Sequence, residues 1–335
     1  MADSQLVSVV IPAYNAAATL DETLHSVRSQ THRALEIIVV DDGSTDNTRM
    51  VAERHAAVDH RIQLLTHEEN AGVAAARNTG WQHARSELIA FIDADDLWAN
   101  TKIERQVQAV LASSEQVGLV YCWSVRINSL SEIIGHQNRA RWGGDVLSRI
   151  LSSNFIGNGS VVLVRREALI FANGFDSRLR NSCAEGCEDL LAYYRIAQRY
   201  HFVVVPEPLV GYRYLPNTMS SNRPSMLRSW LLVSEEMIAQ HPEHSHALKS
   251  GFRAYCSWIV RDVLWNNEWK QLPSMLLSLL RSTPTLAMEM LLKDIPITLT
   301  VMVHSRLLRL YRKPVNPTEA ETGQRFLIGD LDQCQ

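Results

Sequence analysis

Apolar positions follow two rhythms along the first hundred residues. Near-continuous apolar runs at residues 7–11 (VSVVI), 35–40 (LEIIVV), 62–65 and 88–92 have the length and β-branched content of strands buried on both faces of a sheet. Between them the spacing turns helical: Leu20, Leu24 and Val27 come first, then residues 46–57 and 73–84. Thr19-Leu-Asp-Glu22 has the spacing of a capping box at the start of the first helix. Strands alternating with helices of about 10–15 residues predict right-handed βαβ units and an α/β fold with a mostly parallel sheet.

Beyond residue 116 the pattern loosens. It predicts strands at 117–122, 160–164 and 202–205, helices at 165–172 and 189–199, and turns at Trp142-Gly-Gly-Asp145 and Gly157-Asn-Gly159. From residue 224 the chain reads as helical segments interrupted by Pro242, Pro273, Pro284 and Pro296, and after Pro314 it is polar. The expected division is therefore 1–115, 116–223 and a helical appendage at 224–335.

Composition narrows the classes. With 46% hydrophobic and 21% charged residues the chain has an ordinary globular make-up, which excludes disordered, collagenous and coiled-coil chains. The net charge of −3 offers no broad basic field, so no nucleic-acid partner is expected. Cys122, Cys183, Cys187, Cys256 and Cys334 are too dispersed for a disulfide framework and suggest a reducing, cytoplasmic setting. Asp3 and Pro12 interrupt what would have to be a secretory leader. Nothing directs export, so the Asn158-Gly-Ser160 glycosylation pattern reads as accidental. The best C-terminal candidate for a membrane span, residues 295–305, holds 11 residues and includes Pro296, against the 18 or so that a span requires.

Candidate chemistry sits at the strand ends. Pro12-Ala-Tyr-Asn15, Asp41-Asp-Gly-Ser44 and Asp93-Ala-Asp-Asp96 each follow an apolar strand, and ligands of open α/β sheets bind outside the carboxyl ends of strands. Taken singly, Asp41-Asp-Gly-Ser44 is equally a solvated turn. If the strands are neighbours, the carboxylates share one rim and repel each other unless a cation compensates them. Hard oxygen ligands favour Mg²⁺ or Mn²⁺ over zinc, and a phosphorylated substrate would complete the coordination.

The segments VSVVIPAYN, EIIVVDDGSTDNT, ENAGVAAARNTG and LIAFIDADDLW, in that order, resemble the nucleotide-sugar-binding half of family 2 glycosyltransferases of the GT-A fold. The resemblance covers residues 6–110 closely and continues thinly through Gly174-Phe-Asp176, Glu188-Asp189 and Tyr212-Arg213. It implies a Rossmann-like GT-A sheet with residues 1–115 as the nucleotide-sugar half, 116–223 as the acceptor half, and an inverting transfer from a nucleoside-diphosphate sugar to a saccharide or lipid-linked acceptor. Position by position, it implies that Pro12 and Tyr14 hold the base, that Asp41 accepts a pyrimidine N–H, favouring uridine, and that Arg77 lies near the nucleotide. It assigns Asp93 to the ribose and Asp95 to the metal. Asp189 would be the base that takes the acceptor proton, with Glu188 as the alternative. Both acids also fit as ordinary first-turn residues of a helix, whose dipole would hold a pKa low.

Other readings are weighed against this one. A nicotinamide dehydrogenase lacks its Gly-Xaa-Gly-Xaa-Xaa-Gly, and no P-loop is present. A nucleotidylyltransferase would have a glycine-rich, basic loop after the first strand. An Asp-Xaa-Asp phosphohydrolase and a non-catalytic nucleotide-sugar scaffold stay open. Trp98, next to the aspartates, is a candidate wall of a sugar pocket, while Arg213 and Asn217 lie where the family places contacts to diphosphate or acceptor. Cys183 and Cys187 lack the Cys or His partners of a metal site. The leucine-rich C-terminal helices, with Arg306, Arg309, Arg312 and Lys313, admit two readings: packing on the domain or a second subunit, or peripheral contact with the inner face of a membrane.

Overall fold

The computed structural model describes residues 5–136, 139–215, 218–311 and 325–326. Strands β1 (Val7–Ala13), β2 (Leu35–Asp41), β3 (Ile62–Thr66) and β4 (Leu88–Phe91) alternate with helices α1 (Leu20–Arg28), α2 (Thr48–Ala56) and α3 (Val73–His83). All three pairings among these strands are parallel, in the order β3-β2-β1-β4. β1 and β2 are buried at every position, which is why their sequences carry apolar residues without alternation.

The sheet continues through β5 (Leu97–Trp98), α4 (Lys102–Leu111), β6 (Val117–Ile127) and β7 (Ile133–His136). Then come α5 (Leu147–Ser152), a 3-10 turn at Gly159–Val161, β8 (Val162–Arg165), α6 (Arg166–Phe171), α7 (Arg178–Asn181), α8 (Glu188–Ala197) and β9 (His201–Arg213). The whole sheet runs β3-β2-β1-β4-β8-β6-β9-β5, with β7 on β6. β8 is antiparallel to both β4 and β6, whereas the long β6–β9 pair is parallel. This is a mixed, mostly parallel α/β sheet flanked by helices.

β6 and β9 extend well past their apolar cores. Their register shifts around Cys122, Trp123 and Ser124, opposite the Pro206-Glu-Pro208 segment of β9. Prolines confined to such irregular positions disguise a strand as two fragments. The capping box does not form. Thr19 makes no side-chain cap, and Glu22 instead accepts hydrogen bonds from the Ser131 hydroxyl (2.8 Å) and Arg213 Nη2 (2.7 Å). A buried guanidinium outcompetes one helix-end N–H for that carboxylate.

The C-terminal helices are α9 (Arg223–Gln240), α10 (Ser245–Trp265), α11 (Leu272–Ser282), α12 (Pro284–Glu289), a π-helical segment at Met290–Asp294, and α13 (Ile295–Tyr311). Among the described residues no helix is long and apolar enough to cross a membrane. The side chains of Arg306, Arg309, Arg312 and Lys313, and the polar tail apart from Arg325 and Phe326, lie outside the described residues.

One lysine is fully enclosed. Lys102 lies over the ring of Trp98 at 3.7 Å and donates to the Val162 carbonyl at 3.3 Å; burial pushes its pKa down to about 7. The unfolded chain binds that proton up to a higher pH, so this group's burden on stability is greatest in acid and fades as pH rises above 7. Lys102→Met is expected to raise the melting temperature at pH 6, by about 2–4 °C for each kcal/mol recovered. The advantage over wild type should shrink by pH 9 in thermal melts.

Candidate active site

Register sets the rim. Ala13 lies opposite Asp41 across β1 and β2, and Ile92 donates its N–H to the Val10 carbonyl of β1 (3.1 Å). The ends of β1, β2 and β4 are thereby brought side by side, with Asp93 one residue beyond. Pro12 is buried in β1, while Tyr14 just beyond it is 49% exposed.

The loops after β1 and β2 are stitched together. Asn15 adopts a positive φ of 48°; its N–H donates to Ser44 Oγ (3.0 Å) and its side-chain oxygen accepts from the Thr45 N–H (2.9 Å). Ala16 N–H donates to Thr48 Oγ1 at 2.7 Å and Ala17 N–H to Asp46 at 3.1 Å. Asp41 is buried and accepts from the Ser44 N–H (3.1 Å). Asp42 turns the other way, accepting from the N–H groups of Ala71 (2.9 Å) and Gly72 (2.8 Å) and pairing with His67 Nδ1 (2.6 Å). Gly43 has a φ of +71°, and a Cβ there would lie 2.7 Å from the backbone of Glu69 and Asn70. Only glycine lets these chains approach so closely.

The Asp93-Ala-Asp-Asp96 turn is braced from beneath. Ser160 Oγ accepts from the Asp93 N–H (3.0 Å) and donates to Asp96 Oδ2 (2.5 Å). Asp96 is wholly buried, and its other oxygen takes the Arg213 N–H (2.9 Å). Burial and the neighbouring Asp95 and Asp93 charges hold its pKa well above the usual carboxylate range. Asp95 is half-buried; burial, then the Asp93 charge, push it up to about 6.

Two expectations fail at this turn. Trp98 is fully buried, its indole donating to the Ser160 carbonyl (2.9 Å), so it supports the turn from the core and walls no pocket. Arg213 is also buried; its Nε donates to the Asp95 carbonyl (2.6 Å) and its Nη2 to Glu22. Its donors are spent on the framework and do not reach toward a diphosphate. Asn217 lies outside the described residues.

Arg77 joins the two sides of the site. From α3 it donates through Nη2 to Asp93 (2.7 Å) and through Nη1 to Glu188 at the start of α8 (2.9 Å). Burial disfavours its charge, but Asp93, Glu188 and Asp189 outweigh that and raise its pKa. Glu188 also accepts from the Gly186 N–H (3.0 Å). Among the described residues no cation binds Asp189 directly, and it accepts from the Leu190 N–H (2.6 Å). Burial, then the charge of Glu188, push its pKa up to about 7. The low value expected at a helix N-terminus is thus reversed, because desolvation in this pocket exceeds the effect of the dipole.

Among the described residues two buried polar atoms here meet no partner: Arg77 Nε and the hydroxyl of Tyr193, one turn along α8 from Asp189. Among the described residues, no trio of His, Cys, Asp or Glu could enclose a metal. Asp93 and Asp95 supply hard oxygens, and one Asp93 oxygen is engaged by Arg77. Such a donor set suits an ion that completes its shell with water and phosphate oxygens, as Mg²⁺ and Mn²⁺ do. It does not suit a closed zinc site. Cys183 and Cys187 do not pair: the first is exposed, the second buried.

The model of the glycosyl transferase family 2 matches residues 8–171, from β1 through α6. Over that segment, just under half of the chain, the sequence is that of the family 2 glycosyltransferases. Two curated relatives are similar over about a third of the chain. The putative teichuronic acid biosynthesis glycosyltransferase TuaG of Bacillus subtilis is 42% identical over 109 residues, 32% of this chain and 43% of that protein. The Escherichia coli UDP-Glc:alpha-D-GlcNAc-diphosphoundecaprenol beta-1,3-glucosyltransferase WfgD is 42% identical over 112 residues, 33% of this chain and 44% of that protein. The aligned stretch thus spans less than half the length of each.

Solved structures extend the likeness to the fold as a whole. S. aureus TarS 1-349 in complex with UDP-GlcNAc superposes with a TM-score of 0.65 at 17% identity, over 92% of this chain and 93% of that one. The mannosyltransferase PcManGT from Pyrobaculum calidifontis, in complex with GDP-Man and Mn²⁺, gives 0.57 at 22% identity, over 91% and 81%. The sheet is of the GT-A type, with C-terminal helices appended.

Three residues of this glycosyltransferase domain's surroundings escaped the sequence reading. Ser160 looked like part of a chance glycosylation pattern, Asp96 like a third acid of a turn, and Tyr193 drew no reading of its own. The spacing of four between Asp189 and Tyr193 was the one available signal. Ser160→Ala removes the shared contact to Asp93 and Asp96 and is expected to lower stability by about 1–3 kcal/mol, measured by urea unfolding.

Proposed function

We propose that this chain is an inverting glycosyltransferase that moves a sugar from a UDP-linked donor to an acceptor hydroxyl in the synthesis of a cell-surface polysaccharide or glycolipid. The observation that carries the reading is Arg77, whose one guanidinium binds an acid of the donor rim, Asp93, and an acid of the opposite side, Glu188. A sugar held at the rim would have its anomeric carbon facing α8.

On the donor side, exposed Tyr14 packs on the uracil ring, beside Pro12, and Asp41 accepts the pyrimidine N–H. Asp93 orients the ribose. A Mg²⁺ or Mn²⁺ ion held by Asp95, with Asp93 beside it, would neutralise charge on the departing diphosphate. On the acceptor side, Asp189 takes the hydroxyl proton as the acceptor oxygen bonds to the anomeric carbon. The bond from that carbon to the diphosphate oxygen breaks with its electron pair, releasing UDP and inverting the centre. Glu188, neutralised by Arg77 and held by the Gly186 N–H, positions the helix start and leaves proton transfer to its neighbour. The UDP-sugars named for WfgD and in the TarS complex support the donor class. WfgD's name also supports a lipid-diphosphate acceptor.

Asp189→Asn is expected to reduce turnover by about 10²–10⁴ with UDP affinity retained; loss in Glu188→Gln alone would transfer the base to Glu188. Asp189 is faced by Glu188 and Asp93, which raise its pKa, by Arg77, which lowers it, and by the buried Cys187 and Tyr193, whose own pKa values are raised. Turnover should rise with pH through about 7 as the carboxyl ionises. Chelation of divalent cations should abolish transfer, with recovery on adding Mn²⁺ in wild type and not in Asp95→Asn.

A further inference from the structure

The helical appendage presents an aromatic face. Trp258 and Trp265 on α10 are 48% and 45% exposed, and Trp269 in the 3-10 turn Trp269–Gln271 is 43% exposed. Trp258, Arg261 and Trp265 are spaced by three and four residues, so they share one side of the helix. Further along, Leu277 of α11, Leu292 of the π-helical segment and Ile297 of α13 are exposed as well.

Charge on this region is one-sided. Between residues 253 and 304 the exposed formal charges are Arg261, Lys270, Arg281 and Lys293. The four acids of the same stretch are half-buried and engaged. Asp262 pairs with Arg223 (2.5 Å), Glu289 and Asp294 with Arg253, and Glu268 accepts from Gln271 (2.9 Å). Exposed indoles interspersed with bases match the boundary between acyl chains and anionic headgroups. A second copy of the chain meeting this face about a two-fold axis would oppose like charges.

The face is also wired to the catalytic acids. Arg223 at the start of α9 lies 5.6 Å over the Trp258 ring and pairs with Asp262. Two residues on, the Ser225 hydroxyl contacts the carbonyls of Cys183 and Glu185 (3.2 Å each), and Ser229 Oγ accepts the Cys187 N–H (3.1 Å). Gly186, at a φ of +121°, sits directly against the side chain of Met226. The loop leading into Glu188 and Asp189 therefore rests on the helix that the tryptophan face supports.

We propose that the Trp258–Trp265–Trp269 face docks on an anionic lipid surface and so presents the acceptor side of the site to the membrane. That purpose rests on the lipid-linked acceptor proposed above; the docking itself does not. The test uses the full chain in flotation with acceptor-free vesicles of phosphatidylcholine alone or with added phosphatidylglycerol. Binding to the anionic vesicles is expected, weakening with salt, and at least about tenfold weaker in both Trp265→Ala/Trp269→Ala and Arg261→Glu/Lys270→Glu. Both variants should keep the wild-type circular dichroism and UDP affinity. Failure of wild type to float, or unchanged flotation of folded variants, would overturn docking and leave sugar transfer intact. Association into dimers that the tryptophan variant dissolves, without flotation, would assign the face to a second copy instead.

Discussion

A guanidinium buried between two carboxylates is the constraint on which the site depends. Arg77 donates to Asp93 and Glu188, residues 16 and 111 positions away in the chain. A charge removed from water is stable only when its partners are fixed, and removing one partner of such a group typically costs about 3–5 kcal/mol. The geometry of Asp93 is in turn set by Ser160, and that of Glu188 by the Gly186 N–H. The parallel sheet and the start of α8 are thereby held in one register by a single side chain.

The same arrangement gives adjacent acids different environments. Glu188 lies within the ion pair, while burial and the like charge of Glu188 push the pKa of neighbouring Asp189 up to about 7. Two neighbouring carboxylates with environments this different suit separate roles, one positioning and one transferring a proton. On the opposite rim, Asp42 is consumed by the loop before α3 while Asp41 stays at the end of β2. Asp96 is consumed by Ser160 and Arg213, while Asp95 stays half-buried.

The first hundred residues were legible because both-face burial writes itself as unbroken apolar runs, and each run ends where its polar rim begins. The later strands were legible as their apolar cores and not in their full length, since Pro206, Glu207 and Pro208 interrupt β9 and a register shift interrupts β6. Candidate acids were legible as types at strand ends; their partners were not. Thr19 and Glu22 have capping-box spacing, yet Glu22 turns to Arg213, more than 190 residues further along. Trp98 and Arg213 looked like ligand contacts because position near a motif carries no information about which way a side chain faces. The raised pKa of Asp189 also needed tertiary structure, because desolvation there is supplied by segments remote in sequence.

The central claim is that the rim formed by β1, β2 and β4 is a uridine-diphosphate site. Calorimetric titration with UDP, GDP and dTDP in the presence and absence of Mn²⁺ addresses it most directly. The account predicts saturable binding of UDP, tightened by Mn²⁺ and weakened by both Tyr14→Ala and Asp41→Ala. Heat of binding from none of the three nucleotides, or UDP binding indifferent to both substitutions, would contradict it.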